Sequence, residues 1–197
     1  MTVRGSEATR ILGIPGGMRR RRSHNVRLLG AAAEIAGARA DFTYFLQSSL
    51  GRLPIYSPDD EIPTEVRDFR ENLTDSDAVL ISTPEYIGSL PGGIKNALDW
   101  AALAPGGSVL GGKPVAVIGA DEGEFGGDWA QADARKILDS AGAEVVEAGL
   151  AVPFAEEAFD SEGMLLDRRA VFDLGVVVNQ LVAAARASVR PVEEAEV

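Results

Sequence analysis

The chain has 197 residues, 46% of them hydrophobic, so a single domain can bury roughly 70% of its extended-chain surface without a metal or disulfide staple. A formal charge of −11 argues against non-specific binding to nucleic acid or to anionic membranes, since both need a basic surface. Cysteine is absent, which excludes thiol catalysis, Cys-ligated zinc, iron–sulfur clusters and disulfides, and which suits a reducing cytoplasm.

The start, MTVRGSEATR, is polar and runs into a short apolar patch, Ile11 to Ile14. That patch is too short for a signal peptide or a membrane span, so a soluble, cytoplasmic protein is expected. Ile11 to Ile14 instead reads as a first strand, ended by Pro15, Gly16 and Gly17. A run of arginines, Arg19 to Arg22, follows inside this acidic protein. Ser23 then caps a helix carrying Val26, Leu28, Leu29, Ala32, Ala33 and Ile35, and Gly37 closes it. Phe42 to Leu46 reads as a second strand. Leu53-Pro54-Ile55-Tyr56 leads into a turn-rich segment, and Thr64 to Leu73 forms an amphipathic helix.

Ala78 to Ile81 is a nearly all-apolar run, the mark of a parallel strand covered on both faces. Pro84 stops it, and Gly88, Pro91, Gly92 and Gly93 punctuate the loop that follows. Ile94, Ala97, Leu98 and Ala101 recur at helical spacing. Val115 to Ile118 is a fourth strand, and Gly119 to Gly127 a second glycine-rich loop. Trp129 to Ala141 is a helix, Glu144 to Leu150 a fifth strand, and Leu165 to Arg186 a last helix. The acidic tail, 191–197, is expected to fray, leaving one domain over residues 1–190.

Strands alternating with helices imply an α/β fold, a doubly wound parallel sheet with right-handed crossovers and helices on both faces. The flavodoxin-like order 2-1-3-4-5 puts the ligand crevice at the ends of the first and third strands. At the first of these, Gly16 and Gly17 free the backbone, and Ser23 and Asn25 offer side-chain hydrogen bonds. The next helix adds unpaired N–H groups, so the corner can hold an anion. Arginine adds charge-assisted contacts to phosphate, and one or two of the four are expected to reach it. Neither a Walker loop nor G-x-G-x-x-G is present. Three Gly- or Pro-rich loops at strand ends suit a flat ring with a phosphate at one end, which describes flavin mononucleotide (FMN). Tyr86 offers an aromatic face to the ring, and the backbone from Glu85 to Gly88 offers N–H groups to its polar edge.

Pro84 to Trp100, PEYIGSLPGGIKNALDW, is similar to P-E-Y-N-G-S-x-P-G-x-x-K-N-A-x-D-W of the NADPH-dependent FMN reductase family, a flavodoxin-like group that includes chromate, quinone and azo-dye reductases. Ser23-x-Asn25, Leu53-Pro54-Ile55-Tyr56, Gly112-Lys113-Pro114 and Gly123-x-x-Gly126-Gly127 extend the resemblance from Ile11 to about Val182. It implies an enzyme that takes hydride from NADPH or NADH and reduces a flavin, quinone or related small acceptor, as a homodimer or tetramer. A flavodoxin-type electron carrier and a non-catalytic descendant are the alternatives. The implied FMN-binding residues are Gly17, Arg20, Arg22, Ser23 and Asn25 at the phosphate, with Pro84, Glu85, Tyr86, Ile87, Gly88 and Gly123 around the ring. No catalytic side chain and no metal are required, because the flavin carries the chemistry. His24 is expected as a surface residue of the first helical turn. Three positions depart from the family pattern. Met18 stands where a serine contacts phosphate, Ile87 replaces the asparagine of P-E-Y-N, and Asp121-Glu122 makes the third loop acidic.

Overall fold

The computed structural model describes residues 8–19 and 23–188; Arg20, Arg22 and the acidic tail lie outside them. Strand β1 (Thr9–Pro15) is followed by helix α1 (His24–Ala36) and then by β2 (Ala40–Tyr44). A short α2 (Gln47–Leu50), then α3 (Thr64–Asp75), β3 (Ala78–Thr83) and α4 (Gly92–Leu103) bring the chain to β4 (Pro114–Ala120) and α5 (Asp128–Ser140). Two short strands, β5 (Glu144–Val145) and β6 (Ala151–Val152), precede the long α6 (Arg168–Ser188).

All pairings are parallel, in the order β2-β1-β3-β4-β5, with β6 also on β4. Every residue of β3 and β4 is buried, as continuous apolar runs require when both faces of a sheet are covered. One face packs Leu28, Leu29 and Ala32 of α1 with Leu174, Val178 and Leu181 of α6. The other packs Phe69 of α3, Ile94 and Trp100 of α4, and Leu138 of α5. By length and hydropathy α6 would pass for a membrane span. Its buried positions, Leu174, Val177, Val178, Leu181, Val182 and Ala185, form a stripe at helical spacing against α1 and the sheet, the pattern of a core helix.

Ser23 caps α1 as expected, its Oγ accepting the Val26 N–H, and Gly37 terminates the helix at φ 53°. Strand β2 lies two residues earlier than its aromatic content suggests. Phe45 leaves the strand to pack on Phe69, with ring centroids 4.7 Å apart, and Leu46 already precedes α2, which is too short to show a period in sequence. Helix α6 begins at Arg168, not Leu165. Asp167 accepts the Arg169 N–H at its start, while Leu165 pairs with Phe159 in an isolated bridge.

The expected fifth strand, Glu144 to Leu150, is the larger correction. It is split: β5 and β6 each pair with β4, and the chain between them bulges around one side chain. Arg135 of α5 donates to the carbonyls of Val146, Ala148 and Val117, and burial lowers the pKa of its guanidinium. The arginine thus supplies the donors that an unbroken ladder would have provided. Three carbonyls lose their charged donor when it is removed, so Arg135→Ala should cost about 2 to 3 kcal/mol in urea denaturation. Arg135→Lys should recover less than half of that, because an ammonium cannot fork between three carbonyls.

Candidate functional site

Three loops meet at the carboxyl ends of β1, β3 and β4 and enclose a cleft of about 250 Å³. Its wall is formed by Gly17, Arg19, Ser23, His24 and Asn25 from the β1 to α1 connection, Pro84 to Tyr86 after β3, and Ala120 to Glu122 after β4. A larger depression of about 360 Å³ lies between the segment after β6 and the start of α6. It contains none of the three loops, so the smaller cleft is the candidate site.

Asn25 fixes the cleft's inner corner. Only 4% exposed, its Oδ1 accepts the Ala120 N–H and the Ser82 hydroxyl, and its amide donates to the Ala120 carbonyl. Its side chain therefore holds the strand ends together and leaves anion binding to the groups beside it. Those are the Ser23 hydroxyl and the first N–H groups of α1, which have no intrahelical acceptor and carry the positive end of the helix dipole. The loop backbone passes close to Pro84, where a Cβ on Gly17 would stand 2.9 Å from Cγ.

His24 is not the surface residue expected. Its ring lines the cleft, stacks on Phe159 at 6.1 Å, and has both nitrogens buried with no hydrogen-bond partner among the described residues. Burial, then the Arg19 and Arg27 cations, lower its pKa; Glu122 and Glu156 act the other way. Sequence gave no sign of its burial, because Phe159 arrives from a distant segment.

The loop after β3 is a tight hairpin. Tyr86 and Ser89 exchange both backbone hydrogen bonds, and Ile87 and Gly88 between them have φ of 52° and 70°. Two successive positive φ values define a type I′ turn, whose preferred residues are Asn-Gly. The hairpin is tied to α5 on both sides: the Glu85 carboxylate accepts the Trp129 N–H, and the Ser89 hydroxyl donates to Asp133. Gly88 leaves room for the Trp129 ring, 3.2 Å from the place of a Cβ. Ile87 sits at the turn's tip with its side chain fully in solvent, and neither it, Gly88 nor Gly123 lines the cleft. Gly17, Ser23, Asn25, Pro84, Glu85 and Tyr86 are brought together there.

Residues 9–157 match the sequence pattern of the NADPH-dependent FMN reductase family. The chain belongs to this family. It is 34% identical over 169 residues to an NAD(P)H-dependent FMN reductase of Pseudomonas aeruginosa, covering 84% of this chain and 89% of that one. To a 2-hydroxy-1,4-benzoquinone reductase of a Burkholderia species it is 42% identical over 123 residues, 61% of this chain and 66% of that one. Among solved structures, FerB from Paracoccus denitrificans, a flavoenzyme NAD(P)H:(acceptor) oxidoreductase, superposes with a TM-score of 0.82 at 31% identity, over 92% of this chain and 99% of that chain. Membership in the FMN reductase family brings FMN as cofactor and NAD(P)H as reductant. The residues present fit such a group. An anion corner with an orphaned imidazole stands at one end, and half-exposed Tyr86 with the stacked Phe125–Trp129 pair stands around the hairpin.

A β-branched residue with positive φ is strained by about 1 to 2 kcal/mol, and Ile87 has no packing to offset it. Ile87→Asn should therefore stabilise the protein by about 1 kcal/mol and raise the melting temperature by about 2 to 4 °C, read by calorimetry.

Proposed function

We propose that the cleft is the FMN site and that the chain passes reducing equivalents from NADH or NADPH to a small acceptor, a quinone or a second flavin. The observation that carries this reading is the convergence of the glycine-bearing anion corner, the Tyr86 hairpin and the β4 exit on one cleft. FMN supplies the hydride-accepting and electron-donating chemistry when bound. The chain's own residues have simpler duties. The first turn of α1, Ser23 and Arg19 hold the phosphate by hydrogen bonds and charge. Asn25 keeps the β3 and β4 ends from spreading, so that the hairpin and the corner stay at a constant separation. Glu85 and Ser89 hold the hairpin against α5, and Tyr86 presents its ring to the cleft.

We further read the protein as a cytoplasmic homodimer. At about 250 Å³ the cleft is smaller than most small-molecule pockets, so a flavin ring extends beyond it over the hairpin. Phe125 and Trp129 leave apolar surface around that position, which a second copy of the chain would cover.

Ser23→Ala should weaken FMN about tenfold and riboflavin less than twofold in fluorescence titrations, because only FMN brings a phosphate to that corner. Equal losses would remove the phosphate from the β1 loop. Light scattering at micromolar concentration should give twice the protomer mass; the protomer mass itself would end the dimer reading.

A further inference from the structure

The exit of β4 carries two consecutive carboxylates, and each engages a donor of the cleft. Asp121 Oδ2 accepts the Glu85 N–H at 3.1 Å, and its Oδ1 accepts the Gly123 N–H at 2.9 Å. Glu122 Oε1 lies 2.6 Å from Arg19 Nη1 and 3.9 Å from His24 Nε2. Asp121 thus braces its own loop against the hairpin. Glu122 has a different position: it reaches across the cleft's mouth, from the third loop to the first, and meets the arginine of the phosphate corner.

His24 adds the second half of the observation. With its pKa lowered by burial and by Arg19 and Arg27, the ring is mainly neutral at pH 7, so the cation that holds Glu122 is Arg19. One imidazole N–H still has no acceptor within hydrogen-bond distance among the described residues, since Glu122 stands too far away to satisfy it. An arginine and an imidazole donor face one carboxylate, in a corner whose helix terminus also favours negative charge.

We propose that Glu122 is an internal competitor for the phosphate of FMN and sets how strongly this chain distinguishes FMN from riboflavin. The proposal rests on the FMN-site reading above. A phosphate carries close to two negative charges at neutral pH and is drawn to the same arginine. To bind there it must either turn Glu122 away, losing the ion pair with Arg19, or accept the repulsion of a carboxylate beside it. Either course costs FMN affinity and leaves riboflavin, which has no phosphate, unaffected. Arg19 and Glu122 are each about half exposed, at 53% and 48%, so the exchange needs only side-chain rotation, and solvent screening keeps the effect moderate.

The test is Glu122→Gln, which keeps size and hydrogen-bonding capacity and removes the charge. Fluorescence quenching of FMN and of riboflavin is titrated with the parent and with the variant at low and high salt. The FMN dissociation constant should fall about tenfold in the variant at low salt. The gain should shrink at high salt, while riboflavin changes by less than about twofold. A melting temperature within about 2 °C of the parent's shows that the fold is kept. Unchanged or weaker FMN binding by the variant, with the parent still preferring FMN to riboflavin, overturns the competition and leaves the FMN site standing. An equal gain for both flavins also overturns it, since the phosphate would then play no part. If neither protein binds either flavin, this inference and the site reading fall together.

Discussion

One buried amide holds the functional end of this molecule in shape. Asn25 makes three hydrogen bonds from a side chain with almost no solvent exposure, to both backbone groups of Ala120 and to the Ser82 hydroxyl. Sheet twist tends to spread the carboxyl ends of neighbouring parallel strands, and here the β3 and β4 ends are joined to the first turn of α1 instead. A buried amide with three of its four hydrogen-bonding positions filled specifies one arrangement, because any displacement leaves several groups unsatisfied at once. The anion corner, the hairpin and the acidic exit of β4 all lie within a few residues of that joint.

The segment after β3 divides into a part that faces the cleft and a part that holds another loop. Pro84 to Tyr86 line the cleft, whereas the helical half has structural work. Asn96 Nδ2 and Trp100 Nε1 both donate to the Pro54 carbonyl, Asn96 Oδ1 accepts the Tyr56 N–H, and the Tyr56 and Trp100 rings meet edge to face at 5.0 Å. Two stretches that resemble the family at separate places in the sequence, Leu53 to Tyr56 and Lys95 to Trp100, are thus one contact in space. The carboxyl-terminal turn of helix α4 is further secured by Arg70, whose guanidinium donates to the Trp100, Ala101 and Gly107 carbonyls at 2.7 to 3.0 Å.

Much of this was legible in the sequence, and the reasons for the remainder are specific. The apolar runs of β1, β3 and β4 and the stripes of the helices have the periods that burial demands, and alternation with right-handed crossovers narrows the sheet to the few doubly wound orders, of which the flavodoxin-like one is found. The split of the fifth strand was hidden because its cause, Arg135, belongs to the preceding helix and reads there as one more polar residue. The type I′ turn was hidden because isoleucine stands where asparagine would announce it. His24 is ordinary in sequence, and Glu122 stands out there only as part of an acidic loop; only the fold brings Phe159 beneath the first and Arg19 opposite the second.

Helix α6 completes, beside α1, one face of the sheet, and every strand it covers precedes it along the chain. During synthesis the sheet can therefore pair and gain its α3 and α5 layer while the apolar side of α1 and β4 still lacks its cover. The last helix converts that incomplete layer into a closed core in a single docking step. Until then the nascent chain exposes the kind of contiguous apolar surface that chaperones and aggregation both recognise. The vulnerable interval of this protein's life is set by the delay between translating Val152 and translating Ala185.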